Sequence, residues 1–166
     1  MNHLHEKHIG EAATVFNPDA RHSVFLICDH SYNNIPRDFD NLCVKPADRQ
    51  DHVAWDIGTA DVTRVLSKEL NAPAVLGSVS RLVVDYIRQP DAPDVIAEVT
   101  HGVVVPGNCG LVSQQRKDRV QRFYNQYHKT IDEYLSRSGA SVLVSIHSFS
   151  HDIEPVSRDF DIGLLF

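Results

Sequence analysis

Ser23-Val24-Phe25-Leu26-Ile27-Cys28-Asp29-His30-Ser31-Tyr32-Asn33-Asn34-Ile35-Pro36 is the stretch that decides the fold. Ser23 to Cys28 is a short apolar, β-branched run and predicts a buried strand. Asn33-Asn34-Ile35-Pro36 is loop chemistry, so the strand stops at Asp29-His30. The same pattern returns far along the chain, where the buried-looking run Ser141 to Ile146 leads into His147-Ser148-Phe149. Strand ends are where α/β proteins keep their chemistry, because the sheet fixes the backbone while the loop exposes the side chain. Two imidazoles delivered this way suit a catalytic zinc site, which usually takes three protein ligands and leaves one position for water.

Working outward, Asp51 to Leu70 predicts a helix with Ala54, Val62, Val65 and Leu66 on one face, closed by Asn71-Ala72-Pro73. Ala74 to Ser78 predicts a second strand, and Leu82-Val83-Val84 is a third short apolar run. Gly102 to Asn108 predicts a small strand running into a turn. Ser113 begins a long helix to about Arg137, with Val120, Phe123, Tyr124, Tyr127, Ile131 and Leu135 on one face. Ser138-Gly139 supplies its C-terminal cap. Ile162 to Phe166 starts one more strand, with an apolar edge expected to seek a partner such as a second copy of the chain. Helices alternating with short apolar strands predict an α/β sandwich with a mostly parallel or mixed central sheet.

The 166 residues make one domain, 42% hydrophobic and 23% charged, which is ordinary globular composition. A net charge of −6 argues against nucleic acid as a partner. No apolar run approaches the roughly 20 residues of a membrane helix. Residues 1–20 are polar and His-rich and predict a flexible tail without the apolar core of a signal peptide, hence a cytoplasmic protein. Residues 21–166 form the expected α/β domain. Cys28, Cys43 and Cys109 show no CxxC pairing, so neither a disulfide framework nor a cysteine zinc site is expected.

Several residues stand out for chemistry. His30 is either a metal ligand or a loop cap, and Asp29 or Asp56 is available to orient its second nitrogen. His52 and Asp56 are four apart, a spacing that fits a ligand pair, a supporting pair or an exposed helical turn. Arg81 and Arg88 bracket an apolar run with Asp85 between them. Arginine suits bidentate capture of a carboxylate, and Asp85 could fix one arginine while the other meets a ligand. Tyr127-His128 is the functional candidate of the long helix.

Asp29-His30-Ser31-Tyr32-Asn33, His52 with Asp56-Ile57-Gly58, Ser80-Arg81-Leu82-Val83 with Asp85 and Arg88, Val105-Pro106-Gly107-Asn108, Tyr127-His128 and Ile146-His147-Ser148-Phe149 occur in one order. Together they resemble the N-formylglutamate amidohydrolase family from Ser23 onward. That family is similar in fold to zinc carboxypeptidases and aspartoacylase-type deacylases, which implies a three-layer α/β sandwich with a metal at the strand ends. The chain departs from the family pattern at Ile87, Gln115 and Gln126.

The resemblance implies a metal-dependent amidohydrolase that removes an N-acyl group from an acidic amino acid such as N-formylglutamate. It implies one zinc per chain held by His30 and His147, with the third ligand either Asn33, which stands where related deacylases have one, or an acidic neighbour such as Asp29. Arg81 and His128 match catalytic positions. Arg81, Arg88, Asn108, Tyr127 and Ser148 match substrate-binding positions, and the partner is a small N-acyl amino acid. The family normally continues past Phe166, so a C-terminal part carrying the general base is expected beyond it. The alternative is a non-catalytic domain of the same fold that binds a carboxylate ligand or a partner.

Overall fold

The computed structural model describes residues 5–149, 152–153, 156–157 and 161–165. It opens with an antiparallel hairpin, β1 (Glu6–Ile9) and β2 (Ala13–Phe16). Within the stretch expected to be a flexible tail, Glu6–Ile9 and Ala13–Phe16 are therefore paired strands. Ala13, Val15 and Phe16 are fully buried, because β2 adds onto the main sheet and its apolar side chains enter the core on both faces.

β3 (Val24–Cys28) and β4 (Ala74–Gly77) run parallel in the middle of that sheet. Next in the chain come a two-residue hairpin, β5 (Val99–Thr100) with β6 (Val103–Val104), and then β7 (Val142–Ser145), parallel to β3. The main sheet has the order β1-β2-β4-β3-β7 and is mixed, with antiparallel pairing on the β1 side and parallel pairing on the β7 side.

Alternation along β3 assigns the two faces. Leu26 and Cys28 pack with Ala60, Ala74 and Leu76, beneath α2 (Thr59–Leu70); a short α1 (Pro46–Gln50) precedes it. Phe25 and Ile27 pack in the larger cluster with Phe123, Tyr127, Ile131 and Tyr134. Those four come from the long helix, whose first part is α3 (Ser113–Arg119) and whose last is α4 (Asn125–Ser138). Val120–Tyr124 between them is a π-helical turn, with the Asn125 N–H bonded to the Val120 carbonyl. Gly139 takes the left-handed conformation at φ 73° that ends the helix, as its sequence predicts.

Four expectations change. Residues 51–58 are turns rather than helix, because left-handed Gly58 (φ 85°) is where α2 begins. The buried face of α2 is Thr59, Ala60, Thr63 and Ser67, small enough for close approach to the sheet, while Val62 and Val65 face outward. β7 is about half exposed at Val142 and Leu143, since among the described residues it pairs only with β3, and residues 162–165 form no strand. No described helix is long and apolar enough to cross a membrane.

Candidate metal centre

The parallel pair β3 and β7 delivers two histidines to one place. Their register pairs Ile27 with Ser145, and two residues further on it sets Asp29 beside His147. His30 is buried, His147 is about a third exposed, and their rings lie 5.2 Å apart. Asp56 arrives from the turn before α2. Its N–H donates to the His30 carbonyl at 2.9 Å, which ties the turn to the end of β3. His30, Asp56 and His147 each offer a ligand atom, all within 4.8 Å of one another, so they could hold a metal ion.

Both imidazoles present the same edge to Asp56. His30 Nδ1 is 3.6 Å from Asp56 Oδ1, and His147 Nδ1 is 2.9 Å from Asp56 Oδ2. Each Nε2 goes to a different carboxylate, His30 to Asp85 at 2.9 Å and His147 to Asp29 at 3.2 Å. Ser145 donates its hydroxyl to Asp29 at 2.7 Å and lies 3.0 Å from His147 Nε2. A hydroxyl already donating to Asp29 can only accept from the ring, so Nε2 carries a proton, and Nδ1, which donates to Asp56, is the atom that gives up its proton when it takes a ligand role. Tyr127, fully buried, donates its hydroxyl to Asp29 at 3.1 Å.

The electrostatics follow from burial of three carboxylates together. Burial would raise the pKa of Asp56, but hydrogen bonds from His147 and His30 outweigh it and hold the group far below the usual range. Asp29 and Asp85 are lowered for the same reason, by His147 with Ser145 and by His30 respectively. Hydrogen bonds to Asp29 and then Asp56 raise His147 to about 9. Burial would depress His30, yet its bonds to Asp56 and Asp85 win and raise it. Four carboxylates, Asp29, Asp56, Asp85 and Asp94, against Arg81 and Arg88 leave a deficit of two positive charges. Two imidazolium protons fill it, and one divalent cation between neutral imidazoles fills it equally well.

Arg81 and Arg88 converge on Asp85. Arg81 Nη2 is 3.0 Å and Arg88 Nε 3.8 Å from Asp85 Oδ2, and Arg88 also reaches Asp94 at 3.3 Å. Arg81 Nη1 lies 3.9 Å from Asp56, beside the candidate ligands. Ser148 joins through its backbone, its N–H donating to Asp56 at 3.3 Å.

Other expected residues stand elsewhere. Asn33 gives its side-chain amide to the Arg49 carbonyl and Gln50 Oε1, on α1. His128 places Nε2 on the Tyr86 carbonyl at 2.9 Å, and its ring lies against Tyr124. Asn108 is fully buried, with both kinds of amide atom engaged by protein. His52 bonds Asp51 and meets His101, away from Asp56. Ser145 was not anticipated, although its position two before His147 puts both on one face of an extended segment.

A family model described as N-formylglutamate amidohydrolase matches residues 22–166. The chain is also similar to a gene product from Agrobacterium tumefaciens of known crystal structure, at 31% identity and a TM-score of 0.84. That match covers 90% of this chain and 61% of that one. No curated protein matches.

Proposed function

The chain belongs to the N-formylglutamate amidohydrolase family, and on that premise we propose that it is a zinc-dependent hydrolase that cleaves the N-acyl group from an acidic amino acid such as N-formylglutamate. The observation that carries the reading is the paired geometry of His30 and His147, each turning Nδ1 to Asp56 and Nε2 to a separate carboxylate. A metal-bound imidazole normally has its other N–H held in this way. Two histidines and one carboxylate form a zinc ligand set with a position left open. The fold proposed with it is the zinc-carboxypeptidase-like sandwich, with its metal at the strand ends. Bound zinc would supply an acidified water and polarise the amide carbonyl.

This chain's residues do the rest. Asp85 fixes the His30 ring, and Asp29 with Ser145 and Tyr127 fixes the His147 ring, so both Nδ1 atoms are aimed at the site and need only release a proton to become ligands. Arg81 lies beside the ligand Asp56, and half-exposed Arg88 joins it on Asp85, two guanidinium groups suited to the carboxylates of an acidic amino acid. The test is hydrolysis of a panel of N-formyl and N-acetyl amino acids by zinc-loaded protein. Release of glutamate or aspartate, in preference to neutral amino acids, supports the reading. Turnover of none of them contradicts it.

One observation favours a second reading, a carboxylate-binding domain without catalysis. Asp29, Asp56 and Asp85 are each already engaged by an imidazole, so none of the three is free to take a proton from water. Tight binding of N-acyl glutamate without turnover in the same assay would select it.

A further inference from the structure

We propose that the buried pair Asn108–Arg119 is a clamp that positions the loop bearing Arg81 and Asp85, and through Asp85 sets the orientation of His30; the link to His30 as ligand rests on the metal reading above. Residues 79–86 form neither strand nor helix, yet Val79, Ser80 and Leu82 to Tyr86 are buried. Backbone polar groups in such a segment must find partners other than a ladder. Asn108 and Arg119 provide them. Asn108 Nδ2 donates to the Leu82 carbonyl at 2.9 Å and to the Ala97 carbonyl at 2.7 Å. Its Oδ1 accepts from Arg119 Nη1 at 2.6 Å, and the same nitrogen lies 3.4 Å from the Val83 carbonyl. One side-chain amide therefore joins three segments, residues 82–83, residue 97 and α3.

Arg119 is an unusual choice for that place. It is 5% exposed, and no carboxylate lies within ion-pair distance of it among the described residues. Burying an unpaired charge is costly, and burial followed by the charge of Arg116 lowers its pKa to about 10. It remains a cation at neutral pH, with Phe39 4.5 Å from the guanidinium as its support on the other side. Its hydrogen bonds run to the side chain and the carbonyl that hold residues 82 and 83. From there the path is short. Asp85 donates its N–H to the Val95 carbonyl, accepts from Arg81, and takes His30 Nε2 on Oδ1.

The test uses Asn108→Asp, which keeps an acceptor for Arg119 but removes both donors. A second variant, Arg119→Lys, keeps the charge and loses the fork. Ile131→Val, a core change on α4, is the control. Two readouts are taken on each: amide hydrogen exchange of the metal-free protein, and zinc affinity by chelator competition. In Asn108→Asp the amides of Val83, Asp85 and Arg88 should exchange at least roughly tenfold faster while α4 amides keep their protection. Zinc affinity should fall roughly 10- to 100-fold, the usual cost of disturbing a ligand's support. Arg119→Lys should shift both in the same direction by less, and Ile131→Val should shift neither. Unchanged protection over residues 82–88 in folded Asn108→Asp or Arg119→Lys would overturn the clamp. So would equal effects in the control. If the unaltered protein binds no zinc, the metal reading fails by itself, and the exchange data still judge the clamp.

Discussion

Asp29 Oδ2 lies 3.2 Å from His147 Nε2, two residues joined by the register of two parallel strands and separated by 118 positions in sequence. Asp29 is next to His30 in the chain, but both lie in the turn that follows β3, where Asp29 Oδ2 meets Ser145 and His147 at the end of β7. It therefore serves the histidine on the adjacent strand, and His30 takes its support from Asp85 instead.

Asp29→Asn should weaken zinc binding roughly 10- to 100-fold, since an amide cannot hold the Nε2–H as a carboxylate does. Ser145→Ala should act in the same direction with a smaller effect. Chelator competition measures both, and unaltered affinity in Asp29→Asn would separate Asp29 from the site.

The pH dependence has a definite sign. In the metal-free protein His147 is raised from 6.5 to about 9 by Asp29 and Asp56. A group raised on folding contributes stability that is present in full below 6.5 and lost as pH rises through about 9. The melting temperature of metal-free protein should therefore fall across that interval, and fall less in His147→Gln. Zinc must displace the same proton, so its affinity should increase with pH over that window. Calorimetry in buffers of differing ionisation enthalpy should register proton release at pH 7.

Gly77 ends β4 where a side chain has no room. A Cβ there would sit 2.5 Å from the Asp29 carbonyl oxygen and 2.6 Å from a Tyr86 ring carbon. Gly77→Ala should cost about 1–3 kcal/mol, the usual range for overpacking. Because the obstruction falls on Asp29, zinc affinity should fall with stability. Denaturant melts and zinc competition on the same sample check the pairing of the two losses.

Asp40, Asn41, Leu42 and Cys43 form a run of four left-handed residues, with φ from 44° to 54°. L residues pay about 1–2 kcal/mol each for that conformation. Leu42 is held by burial and Asn41 by Arg49, but Asp40 is exposed. Asp40→Gly should raise stability by a few tenths to about 1 kcal/mol, relief of strain being partly offset by the flexibility of glycine in the unfolded chain. Thermal denaturation reads the sign.

Much of this was legible in the chain. The apolar runs ending at Cys28 and Ile146 located the two strands and the histidines beyond them, and the apolar face of the long helix and its Gly139 stop were readable from spacing. Pairing was not. That β2 joins β4 depends on tertiary packing of a segment whose own composition, rich in His and charged residues around a short ATVF core, suggests a tail. Asp56 was visible only as one alternative, because its role depends on a turn bonded to the His30 backbone rather than on helical spacing from His52. Asn108 lay in a motif that read as ligand-binding, and only burial shows that its amide is committed to protein.

The most direct measurement is zinc content by elemental analysis of tag-free protein, alongside Asp56→Ala and Asn33→Ala. About one zinc per chain is expected in the unaltered protein, retained in Asn33→Ala and lost in Asp56→Ala. Zinc held equally well by Asp56→Ala, or no zinc in the unaltered protein after incubation with excess metal, would contradict a centre built from His30, Asp56 and His147.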